Sequence, residues 1–275
     1  MRIRVINPNT TRAMTDLVGR SARAVAFPGT TVEAVQPTMG PASVESHYEE
    51  ALAVPGILEQ VALAEALPPV ARPDAYVVAC FGDPGLDAAR ELARGPVVGI
   101  AEAAMHAATL VGRRFAVVTS LERTVPRARE LATRYGFAEA CAAVYACELP
   151  VLELDRPGSR ARETVLEHCR LAATAEGVDA VVLGCAGMAD LCHEVGAAIG
   201  VPVVDGVAAA TALVQGLVAQ RLTTSRAGEY AAPPTKPVAG LLAPFGLQAP
   251  PGRPGDLSPV SPGPGAGAPS PRPRG

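Results

Sequence analysis

Residues 74–85 read DAYVVACFGDPG, and residues 179–190 read DAVVLGCAGMAD. Each begins on an Asp-Ala pair, runs through a short apolar stretch to a cysteine, and then turns through small residues. An uninterrupted apolar stretch of this length is the pattern of a strand buried on both faces of a parallel sheet. The spacing is constant: Asp74 to Asp179, Ala75 to Ala180 and Cys80 to Cys185 are each 105 positions apart.

The repetition extends outward from these two segments. GPVVGIAEAA (95–104) is echoed by VPVVDGVAAA (201–210). RVINPNTT (4–11) shares with AVVTSLERT (116–124) an apolar strand, a polar turn and a helix start. Further strand-like runs are RIRVIN (2–7), TVEAVQP (31–37), PVVGI (96–100), RFAVVTS (114–120) and PVVDG (202–206). Helical patterns lie between them, at 11–26, 43–66, 85–93, 101–111, 124–135, 160–176, 188–199 and 207–221. Strands alternating with helices predict an α/β fold built on parallel sheet. A duplicated design predicts two pseudo-symmetric lobes, each a parallel sheet flanked by helices. The first spans 1–99 and the second 100–206. The helix at 207–221 is expected to pack back on the first lobe, because the second is already complete; this extends the first lobe by 207–230.

Composition narrows the class. Of 275 residues, 49% are hydrophobic, enough to bury a core. The net charge is −3 with no basic run, and aromatics are only 4%. Nucleic acid and anionic membrane both demand concentrated basic charge, so neither is expected as a partner. No apolar stretch is long enough to span a bilayer. The N-terminus reads as a first strand, not a signal peptide. Six cysteines without a C-x-x-C are too sparse for a disulfide framework and match no common zinc spacing, so the expectation is reduced thiols, a cytoplasmic location and no metal. Lys236 is the only lysine, so a Schiff-base cofactor is not expected, and G-K-[ST] is missing. Of the 27 prolines, 13 fall within 231–275. That segment is expected to be a disordered Pro/Gly-rich tail.

Ligands of open parallel sheets sit beyond the carboxyl ends of the strands. Cys80 and Cys185 both fall there, just before a helix. A buried strand-end cysteine is ordinarily a small apolar residue; two at equivalent points of a repeat point to chemistry instead. A helix N-terminus favours an anion by up to about 2 kcal/mol, which would bring a thiol from about 8.5 toward neutrality. There it serves as general acid or base. One thiolate and one thiol on opposite faces of a carbon would invert it without a cofactor.

At these residues the chain resembles the aspartate/glutamate/hydantoin racemase superfamily, specifically its hydantoin racemase branch, which includes allantoin racemases. The resemblance spans roughly residues 1–225. It rests on INPNTT, GPASVESHYEEALAVPG (40–56), ACFGDPGLDAARE (79–91), VTSLERTVP (118–126) and LGCAGMADL (183–191). It implies two α/β lobes with the site in the cleft between them, a cofactor-independent two-base mechanism on a small cyclic ureide, and often a homo-oligomer. Carried over, Cys80 and Cys185 resemble the two acid/base thiols. Asn9 resembles the residue that hydrogen-bonds the polar ring edge, since an amide offers both donor and acceptor; the alternative is that it holds its own turn. Thr119 and Ser120 take the equivalent corner of the second lobe. Backbone N–H groups of Phe81, Gly82, Ala186 and Gly187 are candidates to stabilise enolate charge, with Gly184 beside them. Ser43 is a candidate substrate contact or a helix cap. His47 is expected to face packing or solvent. Asp83 is read as a helix-cap carboxylate or as a group that tunes Cys80.

The departures are informative. Amino-acid racemases of the superfamily have Asn-Thr after the first cysteine and Thr-His after the second. Here Phe81-Gly82 and Ala186-Gly187 follow. A rim of apolar and small residues suits a neutral ring better than a zwitterion, whose charges need partners. The sequence leaves open which 5-substituted hydantoin is used. It also leaves a one-cysteine decarboxylase or cis–trans isomerase, a non-catalytic small-ligand receptor and a thiol redox sensor as alternatives.

Overall fold

The computed structural model describes residues 1–154, 156 and 158–247. Residues Met1–Ala232 form one unit, and a second begins at Pro233.

The larger unit contains two four-stranded parallel sheets of the same topology. The first has the order β2-β1-β3-β4, with β1 Arg2–Ile6, β2 Thr31–Val35, β3 Ala75–Val78 and β4 Val97–Gly99. The second has the order β6-β5-β7-β8, with β5 Phe115–Thr119, β6 Cys141–Ala146, β7 Ala180–Leu183 and β8 Val203–Asp205. The helices are α1 Arg12–Ala24, α2 His47–Glu65, α3 Leu86–Leu92, α4 Ile100–Val111, α5 Val125–Arg134, α6 Ala161–Ala173, α7 Cys192–Ile199 and α8 Gly206–Ala219. This is the α/β architecture that the alternation predicts.

The repeated Asp-Ala pair has a physical role. Asp74 donates its N–H to the carbonyl of Arg2 at 2.8 Å, and its carboxylate accepts from the N–H of Arg2 at 2.7 Å. Asp179 donates to the carbonyl of Arg114 at 2.9 Å and accepts from the N–H groups of Arg113 and Arg114 at 2.8 and 3.0 Å. Each aspartate thus clamps the start of the neighbouring strand and fixes the register, Ile3 opposite Ala75 and Phe115 opposite Ala180. At the far ends, Ala79 N–H donates to the carbonyl of Ile6 and Gly184 N–H to that of Val118, both at 2.8 Å. The next residues, Cys80 and Cys185, leave the two sheets at equivalent points.

The core explains the apolar strands. Val207, Ala210 and Val214 of α8 pack with Ile3, Val5, Ala75 and Val77 of the first sheet, and α2 and α3 cover its other face through Ile57, Val61, Leu86 and Ala89. Ala101, Ala104 and Met105 of α4 pack with Phe115, Val117, Ala180 and Val182 of the second sheet, whose other face meets Val165, Cys169 and Val195 of α6 and α7. The helix that follows each sheet therefore covers the other one. Burying Phe115 fully is worth about 3 kcal/mol over leaving it exposed.

Three local expectations need correction. Strand β6 was not legible: its residues, CAAVYA, are mostly half-buried at a sheet edge and carry little β-branched signal. Helix α2 starts at His47, not near residue 43, because the preceding loop is tied to the turn after β1. Thr10 N–H donates to the carbonyl of Pro41 at 3.0 Å, and Thr11 Oγ1 to that of Ala42 at 2.7 Å. Helix α7 starts at Cys192, behind a 3-10 turn over Ala186–Leu191. In the second unit a 3-10 turn covers Gly240–Phe245, with Leu241 exposed. Of the segment 231–275, expected to be disordered, residues 248–275 lie outside the described residues.

Candidate active site

The two strand ends open onto one cavity of about 300 Å³. Its lining includes Cys80, Phe81 and Gly82 from the first lobe and Gly184, Cys185 and Ala186 from the second. Asn9 joins from the turn after β1, and Thr119 and Ser120 from the end of β5. Ser43 and Gly187 do not line it.

The thiols have matching surroundings. The backbone N–H of Gly82 favours the thiolate of Cys80 and that of Gly187 the thiolate of Cys185, so the group two positions on acts on each sulfur. The loops share a turn as well: the carbonyl of Cys80 accepts from Asp83 N–H and that of Cys185 from Met188 N–H, both at 3.0 Å. The expected near-neutral thiols are not what the structure gives. Burial pushes Cys80 up to about 12, against the lowering by Gly82 N–H, and nearby Glu50, Cys185 and Asp83 push the same way. Burial pushes Cys185 up to about 11, against Gly187 N–H, with Glu45 adding to the rise. One N–H apiece does not offset the loss of water.

Glycine is required at Gly184. A Cβ there would lie 2.9 Å from Val117 Cγ1 and 3.0 Å from the carbonyl oxygen of Val118, so β7 could not close on β5. Thr119 Oγ1 shares a hydrogen bond with Thr124 Oγ1 at 2.8 Å and donates to the carbonyl of Gly184. Asn9 is nearly buried, and its Oδ1 accepts from Thr11 N–H and Asn7 Nδ2, both at 2.9 Å. Its acceptor is therefore spent on its own turn. Only Nδ2, beside Met14 sulfur, has capacity to spare. Ser43 does not cap α2; its hydroxyl donates to Glu45 at 3.1 Å, and Ser46 is the cap, accepting from Glu49 N–H at 3.2 Å. His47, expected to face packing or solvent, has a largely exposed ring beside Glu50 at the cavity rim.

A charged wall escaped the sequence reading. Glu45 and Glu50 come from the first lobe, Arg123 and Arg127 from the second. Arg127 donates to the carbonyl of Gly82 through Nη2 at 2.8 Å and Nε at 3.2 Å, and lies 3.6 Å from Glu50. Glu45 accepts the N–H of Val151 from the second lobe. The pair Arg123 and Arg127, four apart across the 3-10 turn at Glu122–Thr124 and the first turn of α5, was the one available signal, and only side-chain direction gave it meaning. Among the described residues no group of three or more His, Cys, Asp or Glu is arranged to hold a metal, and no helix is long and apolar enough to cross a membrane.

Comparison with known proteins agrees with this geometry. The family model Asp/Glu/Hydantoin racemase matches residues 3–214. A hydantoin racemase of Rhizobium meliloti is 45% identical over 240 residues, 87% of this chain and 98% of that protein. The solved allantoin racemase from Klebsiella pneumoniae superposes with a TM-score of 0.86 at 49% identity, covering 90% of this chain and 99% of the other. The allantoin racemase from Pseudomonas fluorescens gives 0.82 at 39% identity, over 87% of this chain and all of the other. Two like sheets, two thiols on one cavity and near-full-length relatives lead to one conclusion: the chain belongs to the Asp/Glu/hydantoin racemase family and is an isomerase of the racemase type.

Proposed function

We propose that this chain racemises 5-substituted hydantoins at C5, without a cofactor, with Cys80 and Cys185 as the two acid/base groups. The observation that carries the reading is the pair of thiols lining one cavity from the equivalent ends of β3 and β7. The thiolate on one side takes the C5 proton, and the electron pair moves into the adjacent ring carbonyl. The thiol on the other side returns a proton to the opposite face, which leaves the configuration inverted and the two sulfurs with exchanged roles. The backbone N–H of Gly82 and that of Gly187 favour the ionised forms of Cys80 and Cys185. The free Nδ2 of Asn9 suits a ring carbonyl. The names of the relatives, hydantoin and allantoin racemases, support the same substrate class. The charged wall of Glu45, Arg123 and Arg127 supports a substituent with hydrogen-bonding capacity, the ureido group of allantoin among them. All six cysteines are free thiols, in keeping with a reducing, cytoplasmic setting.

The test is polarimetry of an enantiopure hydantoin panel, allantoin included, with the wild type and the Cys80→Ser and Cys185→Ser variants. Both variants are expected to lose racemisation. Full racemisation surviving in either one defeats the two-thiol reading.

A further inference from the structure

Helices α4 and α8 carry the chain from one sheet onto the other, and each is capped at its N-terminus by a carboxylate. Asp205 caps α8 from the ordinary N-cap position, accepting from Val207 N–H at 2.8 Å and Ala208 N–H at 3.2 Å. The N-cap of α4 is Gly99, which has no side chain to give. Its carboxylate is imported: Asp83 accepts from Ala101 N–H at 3.1 Å and Glu102 N–H at 3.0 Å. A Cβ on Gly99 would lie 2.3 Å from that carboxylate, so glycine is what admits it. A hydroxyl from the opposite lobe completes each cap, Tyr135 at the C-terminal end of α5 on Asp83 at 2.8 Å and Ser21 of α1 on Asp205.

The two caps differ in what they hold. Asp83 is three residues beyond Cys80, donates its N–H to the carbonyl of Cys80, is buried, and adopts φ +45°, a conformation rare outside glycine. Its counterpart beyond Cys185 is Met188, which packs in the apolar core. The Cys80 loop is therefore fixed by a buried carboxylate to the α4 terminus and to Tyr135, whereas among the described residues no buried carboxylate holds the Cys185 loop, whose Met188 packs in the core and whose Asp190 pairs with Arg162 at the surface.

We propose that Asp83 is a positioning residue for Cys80 alone, holding its loop against the α4 N-terminus so that this thiol faces C5 of the substrate. The inference rests on the two-thiol reading above. Its consequence is one-sided. The C5 hydrogen of one enantiomer faces Cys80, and that of the other faces Cys185. Net racemisation uses both thiols, so its rate cannot separate them. Exchange without inversion can: a thiolate removes the C5 proton, that proton is replaced on sulfur by a deuteron from D2O, and the same sulfur returns the deuteron to the same face.

Each pure enantiomer of allantoin would be incubated in D2O with the wild type, Cys80→Ser, Cys185→Ser and Asp83→Asn. NMR follows deuteration at C5, and circular dichroism follows configuration. The serine variants are expected to retain exchange of opposite enantiomers. Asp83→Asn is expected to slow exchange about 100-fold for the enantiomer that Cys80→Ser loses, and to spare the other. Equal loss for both enantiomers, as from a weakened fold, or loss for neither, overturns the role of Asp83. Failure of the two serine variants to split the enantiomers overturns the two-thiol reading, and this inference with it. If Asp83→Asn does not fold, Tyr135→Phe keeps the carboxylate and removes one of its three donors. A smaller loss on the same side supports the inference, and an even loss or none overturns it.

Discussion

Raising the pH is expected to accelerate this enzyme steeply through a range where an ordinary catalytic thiol would already be ionised. Catalysis by the two-thiol route needs one thiolate per site. Both thiols are pushed up, Cys185 to about 11 and Cys80 to about 12. The cause is burial, and the nearby side chains that bear on the two sulfurs, Glu45, Glu50 and Asp83, are acidic and act in the same direction. A thiol at about 11 is roughly 0.01% thiolate at pH 7 and roughly 1% at pH 9. Because kcat/KM reports ionisations of the free enzyme, it is expected to rise tenfold per pH unit, about 100-fold from pH 7 to pH 9. The assay is initial racemisation rate at subsaturating substrate, read by circular dichroism. In parallel, iodoacetamide alkylation of Cys185 would be followed by peptide mass spectrometry, and its rate should climb with the same slope. A plateau in both measurements below about pH 8 would refute the reasoning. It would mean that the N–H of Gly187 outweighs the loss of water around the sulfur.

Three further outcomes follow from named contacts. Burial lifts the Asp83 carboxyl to about 7 against three hydrogen bonds from Tyr135, Glu102 and Ala101 that lower it, while the charge of Glu102 adds to the rise. The unfolded value is about 3.9, so the contribution of Asp83 to stability is full below about pH 4 and lost as pH rises through 7, by up to about 4 kcal/mol; urea melts across that range should slope downward, and Asp83→Asn should remove that part of the slope. Gly95→Ala would place a Cβ 2.0 Å from the backbone oxygen of Asp74. With backbone on both sides the strain has no flexible end to absorb it, and urea unfolding should register a loss of about 3 kcal/mol. Arg127→Ala removes two donors from the carbonyl of Gly82; kcat/KM is expected to fall about tenfold, which corresponds to one charged hydrogen bond, while the thermal midpoint moves little.

The sequence by itself determined the strands, the repeat and the position of both cysteines. Those features are written in local pattern. AYVVAC and AVVLGC are apolar throughout because both faces of each strand are covered, and a cover on both faces is visible in six residues. The duplication then fixed what the two cysteines share. Strand β6 fell outside that logic, because CAAVYA, though apolar, is half-buried at a sheet edge and has a single β-branched residue, Val144. Its own residues do not announce it; only the repeat, which calls for a counterpart to β2 in the second sheet, points to it.

Only the tertiary structure decided the electrostatics. Whether a thiol sits near neutrality or at about 11 depends on how much water surrounds it. Water exclusion is the summed effect of segments far apart in the chain, so no local motif reports it. The same holds for Asp83, which sits beside α3 in sequence yet caps α4 in space, and for Arg127, which reaches across the cleft to the Cys80 loop. Hydrogen bonds also reassigned Asn9, whose oxygen is held by its own turn and whose nitrogen alone remains for a ligand. Residue type and spacing named the reactive atoms; packing set their charge, their partners and the direction they face.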